Sequence, residues 1–156
     1  MLFRSIELSP REVRPHNGLA ELYEQLGRLD SAREQYRRSL QMDPWQPSAH
    51  YNLANLLANT DAAAAERHYR ACLQIDPSHV RAWTNLANLL LHQGDVRGAI
   101  EAYTQALQQD PNLLEALQNR AVALGANGDR VGARRDYESV LRLATSAHRE
   151  IGRAHV

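Results

Sequence analysis

The sequence predicts an all-α solenoid of about four stacked antiparallel helix pairs, and three observations predict it. A proline-closed phrase recurs as LQMDP, LQIDP and LQQDP, which sets Pro44, Pro77 and Pro111 at intervals of 33 and 34 residues, with Pro10 a further 34 upstream. Other columns keep the same step: Tyr36, Tyr69, Tyr103 and Tyr137; Ala32, Ala65, Ala99 and Ala133; Leu40, Leu73, Leu107 and Leu141; Ala20, Ala54, Ala87 and Ala121. Within each period the apolar residues recur at helical rather than strand spacing.

The repeats follow in order as residues 13–46, 47–79, 80–113 and 114–147. In the first, Leu19 and Ala20 mark one helix, Gly27 ends it, and Ala32, Tyr36 and Leu40 mark the next. The second has no such glycine and is one residue short between Thr60 and Asp61, which accounts for the single 33-residue interval. In the third, Val80, Trp83, Leu86, Ala87 and Leu90 lie on one helical face. Gly94 frees the backbone to end that helix, and Asp95 is placed to cap the next. Ala99, Ile100, Tyr103, Ala106 and Leu107 line the second helix, which Pro111 stops because it has no amide hydrogen and disfavours a helical Asp110. The fourth repeat keeps Gly128, Ala133, Tyr137 and Leu141 but carries Thr145 where the others have proline. The alanine columns let paired helices approach closely. One hairpin cannot bury its own apolar face, whereas stacked hairpins cover one another.

The third repeat resembles the tetratricopeptide repeat through Trp83, Leu86, Ala87, Leu90, Gly94, Ala99, Tyr103, Ala106 and Pro111. His16, His50 and Leu117 replace the tryptophan elsewhere, and Arg120 occupies the apolar column of Leu19, Leu53 and Leu86. The resemblance implies a right-handed superhelix whose first helices line a concave groove for proteins or peptides.

Composition narrows the chemistry. The 18 basic and 18 acidic residues cancel, so no net field favours nucleic acid or an anionic membrane. All the basic residues are Arg, which removes lysine-dependent mechanisms. One cysteine, Cys72, excludes an intrachain disulfide and a cysteine-only metal site; its column predicts a buried thiol rather than a nucleophile. No run of about 18 apolar residues suggests a membrane span. His16 and His50 fall on a packing column, and His68, His79 and His92 show no ligand spacing. Trp45 is expected to pack over a helix end, and Arg120 to lay its stem along the packing surface with its head in solvent. With no phosphate loop, nucleophile elbow or carboxylate pair, neither catalysis, a metal nor a cofactor is expected.

The expected groove is lined by Arg14 from the first repeat, Tyr51, Asn52 and Asn55 from the second, Arg81, Asn85 and Asn88 from the third, and Asn119 from the fourth. Asn52, Asn85 and Asn119 share a column, and Asn55 and Asn88 share another one turn on. Asparagine is a mediocre helix former, so its recurrence at helix centres asks for a reason. One reason is a ladder: a carboxamide donates and accepts, so it can pair with a peptide group. First helices about 10 Å apart would meet an extended peptide at about every third residue, at roughly 3.3 Å per residue. This resembles the asparagine ladder of the arrays attached to O-linked N-acetylglucosamine transferases. The other reason is that these asparagines belong to the repeat itself and bond within the stack. A carboxylate clamp of the chaperone-cofactor kind is disfavoured by the lack of Lys and by Glu21 and Glu24.

The ends depart from the repeat. Ile6, Leu8 and Pro10 match Leu40, Met42 and Pro44, so residues 1–12 read as the remnant of a preceding second helix, and 148–156 as a tail. Back-translating IGRAHV as ATC GGA AGA GCA CAC GTC, and LFRS as CTC TTC CGA TCT, yields a common sequencing-library adapter. Residues 1–5 and 151–156 are therefore expected to be adapter-derived and the chain a piece of a longer array. Three functions fit: a peptide-binding scaffold, the substrate-recruiting arm of a larger glycosyltransferase or sulfotransferase, and self-association through uncapped ends. The location is left unknown by the sequence, with the cytoplasm favoured.

Overall fold

The computed structural model describes the backbone of residues 10–153 and the side chains of 16–146. Every regular element among the described residues is a helix: α1 (Pro10–Gln25), α2 (Leu29–Met42), α3 (Pro47–Leu57), α4 (Ala62–Ile75), α5 (Val80–His92), α6 (Val96–Gln109), α7 (Leu114–Ala126) and α8 (Arg130–Arg153). This is the all-α class expected. Contacts divide the chain into two compact units, residues 1–77 and 78–156, and the division falls at the proline between the second and third repeats.

In the first unit α1 pairs with α2, α3 pairs with α4, and α3 lies on α2. In the second, α5 pairs with α6, α7 pairs with α8, and α7 lies on α6. The small columns lie where helices meet: Ala20, Ala32, Ala54 and Ala65 in one unit, and Ala99, Ala106, Ala116 and Ala121 in the other, are buried. Tyr36, Tyr69 and Tyr103 are the largest fully buried side chains, filling the space those alanines leave.

The hairpin turns follow local chemistry. Gly27, Gly94 and Gly128 adopt φ of 69°, 84° and 87°, which side chains with a Cβ resist. At the second of these, Asp95 N–H bonds Leu90 O at 2.9 Å and Gly94 N–H bonds Leu91 O at 3.1 Å, closing the helix end. The second repeat manages without glycine by ending α3 early: Thr60 and Asp61 N–H both return to Leu57 O, at 2.9 and 2.7 Å. Asp61, Asp95 and Asp129 then cap α4, α6 and α8, each accepting a backbone N–H at 2.9 Å. At α2 the same position is Arg28, whose side chain makes no capping bond.

Two glycines of α5–α6 should respond oppositely to alanine. A Cβ on Gly94 would sit at positive φ, so Gly94→Ala should cost about 1–2 kcal/mol. A Cβ on Gly98 would crowd the Asp95 carboxylate, yet Ala64 holds the same place beside Asp61 and keeps the same cap. A carboxylate that swings aside makes Gly98→Ala neutral to about 1 kcal/mol stabilising. Urea unfolding of the two variants should move the midpoint in different directions, and a matching loss in both would contradict this account.

Both ends of the described chain differ from the repeat boundaries. α1 begins at Pro10, inside the segment expected to be a remnant, where proline suits a first helical turn because its missing N–H has no partner there anyway. α8 runs past residue 147 because Thr145, unlike proline, lets the ladder continue. Residues 1–5 and 154–156 lie outside the described residues.

Candidate functional site

The sequence-predicted site residues all lie on first helices, α1, α3, α5 and α7. In the first unit, Asn52 Nδ2 donates to the Tyr36 hydroxyl at 3.0 Å, and that hydroxyl donates to Glu24 Oε1 at 2.6 Å. Tyr69 donates to Asn55 Oδ1 at 2.7 Å. Tyr51 is half-buried with its ring 6.2 Å from that of Tyr69. In the second unit the Tyr103 hydroxyl donates to Asn88 Oδ1, which also accepts from Asn119 Nδ2 at 3.1 Å. Asn88 Nδ2 in turn donates to Glu115 Oε1 at 3.2 Å. Asn85 is half-buried and Arg81 is exposed. The side chain of Arg14 lies outside the described residues.

A single arrangement therefore recurs: a buried tyrosine on the second helix ties down asparagines on the first helices around it. Burial, with the Glu24 hydrogen bond second, pushes the Tyr36 phenol far above its ordinary range. Burial pushes Tyr103 up to about 12, against the hydrogen bond from Asn119. Both phenols stay protonated donors at any physiological pH. The bonding within the stack is thus present at Asn52, Asn55, Asn88 and Asn119. One internal bond does not exhaust a carboxamide, which has two N–H donors and two acceptor positions, although Asn88 already fills both acceptor positions and uses one donor. The tyrosine hydroxyls were absent from the sequence-based groove because they sit on the second helices. The signal for them was there, since the tyrosine column keeps the same period as the asparagine columns.

Two single-residue expectations are corrected. Arg120 does not send its head into solvent: its Nε and Nη2 grip Asp136 Oδ2 and Oδ1 at 2.7 and 2.8 Å, and its Nη1 donates to Thr104 at 3.2 Å. The Asp136 side chain is only 5% exposed, and a buried carboxylate attracts a guanidinium more strongly than water holds it. Trp45 does not pack over a helix end and is 74% exposed, because Asp43 Oδ1 accepts its backbone N–H and forms a tight turn with the indole outside.

The packing histidines have partners that the sequence did not reveal. His16 Nδ1 meets Gln35 Oε1 at 2.8 Å, and His50 Nδ1 meets His68 Nδ1 at 2.9 Å. His50 Nε2 faces the Pro44 carbonyl at 3.1 Å, which requires a proton on Nε2. His50 Nδ1 then accepts, and His68 donates. Burial pushes His68 down to about 4, helped by His50, Arg67 and Arg37, and burial also lowers His50 against the Pro44 carbonyl. Cys72 is buried, and its thiol is pushed up to about 11, by burial first and Asp76 second, which keeps it protonated and unreactive. Among the described residues no group of three or more His, Cys, Asp or Glu is placed to hold a metal ion. None of the described helices is long and apolar enough to cross a membrane.

Comparison with known proteins bears on the fold. One family model, described as a TPR repeat, matches residues 23–61, and another, described as a tetratricopeptide repeat, matches 56–112. No curated protein matches. Among solved structures, the crystal structure of MamA superposes with a TM-score of 0.83 at 21% identity, over 90% of this chain and 83% of that one. MamA from residue 41 to its end, from Desulfovibrio magneticus RS-1, gives 0.77 at 20% identity, over 86% and 76%. The first TPR of Spaghetti (RPAP3), bound to the HSP90 peptide SRMEEVD, gives 0.73 at 19% identity, over 79% and 98%. At these identities the likeness is one of fold.

Proposed function

Because this chain belongs to the tetratricopeptide-repeat family, we propose that it is a protein-interaction scaffold whose first helices hold an extended peptide by its backbone. The observation that supports this reading is the anchoring of Asn52, Asn55, Asn88 and Asn119 by tyrosine hydroxyls and neighbouring carboxamides. A side chain already held in place loses less conformational freedom when a ligand arrives, so its remaining hydrogen-bonding capacity binds at lower entropic cost. In the second unit Asn85 and Asn119 would be successive rungs, with Asn88 one turn along and Arg81 at the start of α5. In the first unit Asn52, Asn55 and Tyr51 would play this part, and Arg14 belongs to the same proposed face.

The ligand class follows from what the face carries. Carboxamides pair with peptide groups whatever the side chains, so sequence tolerance is expected. The solved neighbour from RPAP3 holds an acidic peptide. Here Glu21, Glu24 and Glu115 lie on first helices and no Lys exists, so acidic C-terminal peptides are the expected non-binders. An arm that delivers substrates to a linked catalytic domain would use the same face. Peptide binding by the 156-residue chain alone is what the free-scaffold reading requires.

A peptide array followed by fluorescence anisotropy tests the proposal. Peptides that bind should tolerate side-chain exchange but not backbone N-methylation. Asn85→Ala with Asn119→Ala should weaken them by roughly tenfold or more, at about 1 kcal/mol per lost hydrogen bond. Tyr103→Phe removes the anchor and keeps the carboxamides, so it should weaken binding less. Unchanged affinity in the asparagine variant would sink the backbone grip.

A further inference from the structure

His50 on α3 and His68 on α4 face one another across the hairpin of the second repeat, with ring centroids 5.2 Å apart and Nδ1 atoms 2.9 Å apart. They stand 18 positions apart in the chain, which hides the pair from any reading of ligand spacing. Both rings are half-buried, so solvent still reaches them. The two Nδ1 atoms share one proton: His68 donates it and His50 accepts, because Nε2 of His50 is committed to the Pro44 carbonyl at 3.1 Å.

A histidine that ligates a metal donates its far N–H to a carbonyl or carboxylate, which fixes the tautomer and aims the other nitrogen. Pro44 does this for His50 and leaves its Nδ1 lone pair as a ready ligand. His68 needs only to move its proton from Nδ1 to Nε2, and each ring to turn its lone pair towards an ion in place of the shared proton. No proton leaves the protein. With bonds of about 2.0–2.1 Å, nitrogens 2.9 Å apart subtend about 90° at the ion, the cis edge of a tetragonal site. A tetrahedral ion needs them about 3.3 Å apart. Arg37 and Arg67 lie near enough to His68 for their charge to oppose a cation. That selects for the divalent ion that imidazole binds most strongly, and copper(II) leads that order and takes tetragonal geometry.

We infer that the Nδ1 atoms of His50 and His68 form a copper(II) site that ties α3 to α4, with water in the remaining coordination positions. The same two columns hold His16 and Gln35 in the first repeat, Trp83 and Ala102 in the third, and Leu117 and Asp136 in the fourth. Only the second repeat carries both imidazoles. The ion clamps the helix that bears Tyr51 and Asn52, which directly follow His50.

Copper(II) iminodiacetate is the probe for the full chain. The chelator fills three positions and leaves a cis pair, so a lone imidazole holds it weakly. Electron paramagnetic resonance should show two equatorial imidazole nitrogens. The amide signals around residues 50 and 68 should broaden first, and the thermal midpoint should rise because the ion binds the folded chain. His50→Gln and His68→Gln should each weaken binding by roughly tenfold or more, since the second contact of a chelate is intramolecular. His16→Gln should leave binding unchanged, as that ring has only Gln35 beside it. Broadening centred on another histidine, or a spectrum with one imidazole nitrogen, would overturn the inference. Undiminished binding by His68→Gln, which keeps a hydrogen-bonding partner for His50, would overturn it too.

Discussion

Asp136→Ala is expected to destabilise the chain by about 3–5 kcal/mol, the largest effect of any single change considered. The substitution strands the Arg120 guanidinium, whose side chain is 20% exposed, beside a hole that held both of its carboxylate oxygens. Removing one partner of a buried pair leaves the other desolvated and uncompensated. Removing both should behave differently. In the third repeat the same two positions are Leu86 and Ala102, both buried. Arg120→Leu with Asp136→Ala installs that apolar pair in the fourth repeat, and should fall within about 1 kcal/mol of the wild type or exceed it. The sum of the single losses should thus greatly exceed the double loss in a urea-unfolding cycle. If the double variant is as damaged as Asp136→Ala, the pair is bound up with more of the unit than these two side chains.

The second large effect is one of pH. His68 is held at about 4 in the folded chain, against an ordinary histidine value of about 6.5. Below 6.5 the unfolded chain takes up a proton that the folded chain refuses, so acid favours unfolding. The contribution of His68 is fully present above about pH 6.5, declines as pH falls, and is gone below about 4. Its full size is on the order of 3 kcal/mol, and His50, lowered in the same direction, adds to it. The first repeat shows how to remove the dependence without removing the hydrogen bond, since His16 there pairs with Gln35. His68→Gln should therefore match the wild type near pH 7 and exceed it at pH 5 in thermal melts. Parallel stability curves for the two proteins across that range would rule out the pair as the titrating element.

How much of this was legible depended on whether a residue's partner shared its column. Helix ends were, because Gly94, Asp95 and Pro111 act on their own backbone within a turn. The helix pairing and the buried alanines and tyrosines were, because each repeat repeats them at one position. Reading down columns compares equivalent positions and misses what lies across the hairpin. Arg120 was misjudged for that reason: its column is apolar, and the carboxylate that changes its meaning is sixteen positions on, in a column that elsewhere holds Gln35, His68 and Ala102. His50 and His68 were judged one at a time for the same reason. The asparagine and tyrosine columns are both visible in the sequence, but the bonds that join them are not, because pattern alone does not orient a hydroxyl towards the neighbouring helix. Trp45 is a different failure, since its exposure follows from a turn whose hydrogen bond closes over two residues.

The turn between α3 and α4, which reaches its capping aspartate without a left-handed residue, bears on how such arrays change length. Losing a residue there costs the tail of one helix and nothing else: Ala54 before it and Ala65 after it remain buried against their neighbours. Turns of this kind absorb deletions as an expansion joint absorbs movement, so repeats that differ in length by one can still share a core. Selection on packing is then blind to the spacing itself.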